Sequence, residues 1–216
     1  MAGNIQNVNL AILKSEIASY YNITKNLQTS AENLCVHLIN IKNFWTGKRI
    51  NTIINLWNNN YKKIITCIDY FFTINSILNE IYNQYISMEK GTASSSSIKK
   101  LNWNGVNKIS DTDETTIKFV KETVESEAKW FNESSSKINT SIAKLVNQLD
   151  AMQRYSDSLK TLTSNYRTAA TELRIILNNL TDTISTELTK AINDVKLTEQ
   201  YNEADAKRAS STNNLF

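Results

Sequence analysis

Proline is absent from this 216-residue chain, and glycine occurs only four times. Average usage would supply about 11 and 15. Proline breaks a helix by removing a backbone donor and clashing with the preceding turn, and interior glycine costs about 1 kcal/mol. A chain that drops both is built of long helices, so large α/β enzymes, β-sandwiches and collagen-like repeats fit poorly. Charge of one sign is also scarce: the net charge is only +3. A nucleic-acid binder driven by a dense basic surface is therefore not expected.

Chemistry is sparse as well. A single histidine excludes His-rich zinc sites and leaves little for acid–base work. His37 stands two residues from Cys35, so on a helix the two side chains diverge and cannot form a nucleophile–base pair. No phosphate-cradling glycine loop, dinucleotide fingerprint, H-E-x-x-H or G-x-S-x-G is present. The reading is a non-enzyme with no metal and no cofactor. Cys35 and Cys67 are the only thiols. In an antiparallel pair of helices turning near Gly47, Cys67 falls roughly 13 Å from the level of Cys35, beyond the ~7 Å a disulfide allows. Both are expected as small buried hydrophobes in a reducing compartment.

Long apolar runs are lacking too. The start, Met1-Ala-Gly-Asn-Ile-Gln-Asn, has neither the basic nor the apolar region of a Sec signal peptide. The most apolar window, Ile64–Tyr82, is interrupted by Asp69, Asn75, Asn79 and Glu80, too often for a bilayer span. The expectation is synthesis as a soluble cytoplasmic protein, with any export using another signal. Asparagine is abundant, with 29 residues, alongside much Ile and Lys, which suggests AT-rich coding bias. The sequons at Asn22, Asn132, Asn139 and Asn179 accordingly carry little weight.

What remains is periodicity. Apolar residues at helical spacing run from Ile5 through Val8, Ile12, Ser19, Ile23 and Leu27 to Trp45, and again from Ile50 through Trp57 and Phe71 to Tyr85. The second stripe, widened by Ile54, Ile65 and Phe72, must touch more than one neighbour. Gly91-Thr-Ala-Ser-Ser-Ser-Ser97 reads as a linker. Trp103-Asn-Gly105 reads as an ordered loop, and Asp111 with Glu114 as a capping box opening the next helix. From Ile117 a residue every seventh position (Val124, Phe131, Ile138, Leu145, Met152, Leu159, Tyr166, Leu173, Leu180) forms an unbroken seam, with the single polar ring of Tyr166. A single helix would leave that seam bare, so a turn is expected within Ser156–Asn165; Glu133-Ser-Ser-Ser136 is the competing break. The fold expected is all-α: an elongated four-helix bundle made of two long antiparallel helical hairpins. Its parts are 1–90, a linker and loop at 91–110, and 111–216, with a frayed tail over 206–216.

Trp45-Thr46-Gly47 stands at the midpoint of the first helical pair, where glycine permits a left-handed residue and tryptophan anchors the bend. Tyr85-Ile-Ser-Met-Glu89 and Tyr201-Asn-Glu-Ala-Asp205 each put a ring and a carboxylate one turn apart. Together these motifs resemble the WXG100 (ESX-type) proteins of type VII secretion, hairpins of about a hundred residues with W-x-G at the turn and Y-x-x-x-[D/E] after the second helix. Residues 1–90 match with Trp45, Gly47, Tyr85 and Glu89. Residues 111–216 resemble a second hairpin with Tyr201 and Asp205 at the tail position and no W-x-G at the turn. The resemblance implies a tandem protein in which Trp45 meets Tyr201 and Asp205 in cis. It implies a composite export signal read by the secretion ATPase, and a role as secreted substrate or as targeting partner for a larger toxin or another WXG100-like protein. Membrane contact would come only through the secretion machinery. Two other readings stay open: a membrane-active helical toxin, suggested by Ile64–Ile81, and a coiled-coil scaffold built on the seam after Ile117.

Overall fold

The computed structural model describes residues 8–90, 101–115 and 117–213. Four long helices make the chain: α1 (Leu10–Phe44), α2 (Lys48–Lys90), α3 (Lys121–Met152) and α4 (Asp157–Asn213), with a 3-10 turn at Gln153–Tyr155 before α4. The proposed linker Gly91–Ser97 and the first stripe residue Ile5 lie outside the described residues. Among those described, the sole strand-like pairing is one isolated bridge, Trp45 with Phe119.

Asn9 starts α1, its side chain accepting from the backbone N–H of Ala11 at 3.1 Å and Ile12 at 3.2 Å. The stripe that α1 buries is Leu13, Ile17, Tyr20, Leu27, Leu34, Leu38 and Ile41. Its start differs from the sequence reading: Ile12 is 49% exposed and Leu13 takes the core position. Leu13, Ile17, Tyr20 and Thr24 keep the 3.6-residue period that continues through Leu27. The expected second stripe is buried from Ile50 to Ile81, with Tyr61 and Ile65 only partly so. The apolar face of Ile64–Ile81 is thereby consumed inside the bundle.

The bundle is square in section. α1 touches α2 and α3, and α4 touches the same two, with α1 and α3 the most intimate pair. Antiparallel registers follow from single contacts: Tyr20 donates to the Phe71 carbonyl across α1–α2, Glu127 meets His37 across α1–α3, and Arg49 meets Asp194 across α2–α4. By the α1–α3 register, Ser30 and Ala31 lie level with Ser134 and Ser135, all four buried. Small side chains there let the two backbones approach. This is why Glu133–Ser136, a break by composition, is continuous helix within α3.

The seven-residue seam of α3 and α4 is buried from Val124 to Leu180. Its register survives the reversal because the turn is short. The turn itself falls at Gln153–Ser156, so only Ser156 belongs to the window expected. No glycine marks it because none is required: a 3-10 turn followed by an extended Ser156 (φ −162, ψ 138) reverses the chain without a left-handed residue.

Asp111 and Glu114 do not open a helix; α3 begins ten residues later at Lys121. Residues 101–115 and 117–120 form instead a strap along α1 and α2, with Ile117 86% exposed rather than in the seam. Tertiary bonds override local capping. Thr112 exchanges hydrogen bonds with Asn51, and Asn51 also donates to the Glu114 carboxylate at 3.1 Å. At the chain's far end α4 is helical through Asn213.

Candidate functional site

Gly47 sits at φ +106, the left-handed region its neighbours disfavour, and together with the extended Trp45 it reverses the chain between α1 and α2. Trp45 is 3% exposed. Its indole meets Phe119 edge-on at 5.5 Å between ring centres, so the strap rather than the helix ends supplies the aromatic partner. The bend is pinned further by Thr46 N–H donating to the Lys118 carbonyl at 2.9 Å and Val120 N–H donating to the Phe44 carbonyl at 3.0 Å.

Beside this bend opens a cleft of about 790 Å³. One wall is the turn and the strap (Trp45, Arg49, Ile117, Phe119); the other is α4 from Glu187 to Glu199. Arg49 ties the walls, bonding Glu187 at 3.2 Å and Asp194 at 2.7 Å. The Asp194 carboxylate holds the Arg49 guanidinium above its ordinary range, with Glu187 adding to the effect. Burial works to raise Glu187, but hydrogen bonds from Lys190 and Arg49 outweigh it and leave that carboxyl below its usual value. Four carboxylates (Glu114, Glu187, Asp194, Glu199) face two cations (Lys48, Arg49), so the rim is acidic around an apolar floor.

The α4 wall leads onward. Glu187, Ala191, Asp194 and Thr198 line the cleft at three- and four-residue spacing, and the same face continues into Tyr201 and Asp205. Tyr201 stands one turn past Thr198, about 10 Å along the axis from Asp194. It is 71% exposed. From Asp194 to Asn213 the helix runs past the Arg49 pairing for roughly 28 Å.

Tyr85 and Glu89 lie elsewhere. Tyr85 is 40 residues along from Trp45, at the opposite end of α2, about 60 Å away. Its hydroxyl donates to the Tyr155 carbonyl at 2.8 Å, closing the second turn. The structure sets Trp45 and Gly47 across a cleft from α4. Tyr201 and Asp205 lie beyond the cleft lining on the same α4 face rather than against the indole, whose ring partner is Phe119, and Tyr85 and Glu89 lie at the opposite end of α2. Sequence reasoning missed Phe119, Arg49 and Glu187. The seven-residue spacing of Glu187, Asp194 and Tyr201 was a readable signal for one face; the strap's contribution left none.

Among the described residues no cluster of His, Cys, Asp and Glu has the makings of a metal site. Cys35 and Cys67 are both free and buried. No helix among those residues is long and apolar enough to cross a membrane. Comparison with known protein families, with curated proteins and with solved structures finds no match.

Proposed function

We propose that this chain is a non-enzymatic, tandem WXG100-like protein of a type VII secretion system, a substrate or targeting partner that presents a composite signal at its Trp45 end. One observation carries the reading: the exposed Tyr201–Asp205 face of α4 continues the wall of the cleft whose opposite side is the Trp45–Gly47 bend. The indole works from beneath, fixing the bend, while ring and carboxylate project where a partner reaches them. Fusing the two hairpins removes an association step and holds the tail beside the turn at high effective concentration. Recognition by the secretion ATPase then requires no opening of the bundle. Tyr85 and Glu89 leave the signal in this reading, since Tyr85 is engaged in closing the second turn.

The membrane-toxin reading draws no support from Ile64–Ile81, whose large side chains already fill the core. The test is export by a Gram-positive host bearing a type VII system. A chain lacking residues 201–216 is expected to stay in the cell while its melting temperature falls by no more than a few degrees. Normal secretion of that truncation overturns the assignment.

A further inference from the structure

The strap is held by a pattern unrelated to the turn motif. Six side chains of α1 and α2 bond to its main chain, among them Glu32, which accepts from the Asn104 N–H at 3.2 Å, and Cys35, whose Sγ lies 3.9 Å from the Asn107 carbonyl. Gln28 Nε2 donates to the Asn102 carbonyl at 2.6 Å and Trp57 Nε1 to the Asn107 carbonyl at 2.9 Å. Asn58 donates to the Ile109 carbonyl and accepts from its N–H, both at 2.8 Å; Asn51 does the same with Thr112 at 3.0 and 2.8 Å. Side chains facing inward come every third residue: Trp103, Val106, Ile109 and Thr112, with the residues between them exposed. Gly105, at φ +94, sets the chain's direction just before Val106 enters the groove.

Three residues per repeat is the period of an extended polyproline-like chain, which advances about 9.3 Å per turn. Asn51 and Asn58 are seven residues apart on α2, about 10.5 Å. The two repeats nearly match, so successive asparagines meet successive turns of the strap. Such a groove reads mostly backbone, and asks of the sequence two buried aliphatic side chains, Val106 at 3% and Ile109 at 4% exposure. They are flanked by Trp103, whose Nε1 donates to Asp69, and Thr112, whose hydroxyl donates to Asn51. When the strap leaves, the groove's amides and indole N–H face water and stay satisfied, so vacancy strands no buried polar group.

We infer that the α1–α2 groove is a binding site for extended polypeptide: residues 101–112 fill it in cis, and a partner's extended segment with two aliphatic residues three apart takes their place. The mode is akin to strand addition, with main-chain bonds giving affinity and spaced side chains giving specificity. Tethering holds the resident strap at an effective concentration of order millimolar. A segment in trans therefore enters where the strap is weakened or where the partner brings contacts of its own. The inference stands apart from the export reading.

The test is titration of a fluorescent peptide of residues 101–112 into the full-length chain, followed by anisotropy. Binding to Val106→Asp/Ile109→Asp is expected at least tenfold tighter than to wild type. Adding Asn51→Ala and Asn58→Ala to that variant removes the gain. A helical variant that gains no peptide binding overturns the inference, as does one that dimerises through the vacated groove instead. Should the aspartates cost helicity by circular dichroism, Val106→Ala/Ile109→Ala carries the same test; lost helicity there too makes the strap core rather than ligand, and overturns it. A peptide with serine at both aliphatic positions that binds equally well also overturns it.

Discussion

The two ends of the bundle reverse the chain by different means. At one, a left-handed glycine makes the bend and a buried tryptophan with a strap laid across it holds the bend in place. At the other, a single 3-10 turn does the work, aided by Arg154 bonding Glu16 at 2.6 Å and by Tyr85 bonding Tyr155. Each end also has a tyrosine followed four residues later by an acid. Tyr85 is half-buried and bonded into a turn, whereas Tyr201 projects into solvent. A short motif thus acquires its role from burial: the same spacing is a brace at one end and a display at the other.

That contrast is open to direct attack, most forcefully at Trp45. Trp45→Ala removes a buried indole and its ring partner, and is expected to cost about 3–5 kcal/mol in urea unfolding. A loss under about 1 kcal/mol would make the two turns energetically alike. Gly47→Ala comes next, at about 1–3 kcal/mol. A Cβ there meets nothing within 4 Å, so the whole cost is backbone strain. Ser156→Ala at the opposite turn removes the cap of α4, where the Ser156 Oγ accepts from the Ser158 N–H at 3.3 Å, and is expected to cost about 0.5–2 kcal/mol.

Tyr85→Phe should cost about 0.5–1.5 kcal/mol through its lost bond, while Tyr201→Phe leaves the melting curve unchanged. Reversal of that order breaks the brace-and-display distinction. The smallest effect is alkaline. Burial pushes the Cys67 thiol up to about 11 from an ordinary 9.0, with Glu172 adding and Lys63 opposing. The folded form then keeps its proton longer than the unfolded chain does, so this contribution is complete below pH 9 and fades as pH rises toward 11. Cys67→Ser should flatten that part of the pH–stability curve; an unchanged curve assigns the alkaline loss to other groups.

Much of this fold is legible in the chain. Scarce glycine and no proline point to helices, and the seven-residue seam of α3 and α4 is buried at every position from Val124 to Leu180. The bend at Gly47 is readable because a left-handed residue leaves a composition mark. The second turn is not, since its residues keep negative φ and resemble helix. The strap is the larger miss. Asp111 and Glu114 form a plausible cap, and what cancels it is Asn51, sixty residues earlier, competing for the same backbone. Local rules hold no record of such a rival. Phe119 was invisible for the same reason.

The close pairing of α1 with α3 has a consequence for synthesis. When the ribosome has delivered α2, α1 has met only one of its two neighbours, and the more extensive one is still unmade. At translation speeds of about 5–20 residues per second, the stretch from Lys90 to Met152 takes on the order of 3–12 s. During that interval the nascent chain offers a bare apolar stripe to whatever stands at the exit tunnel.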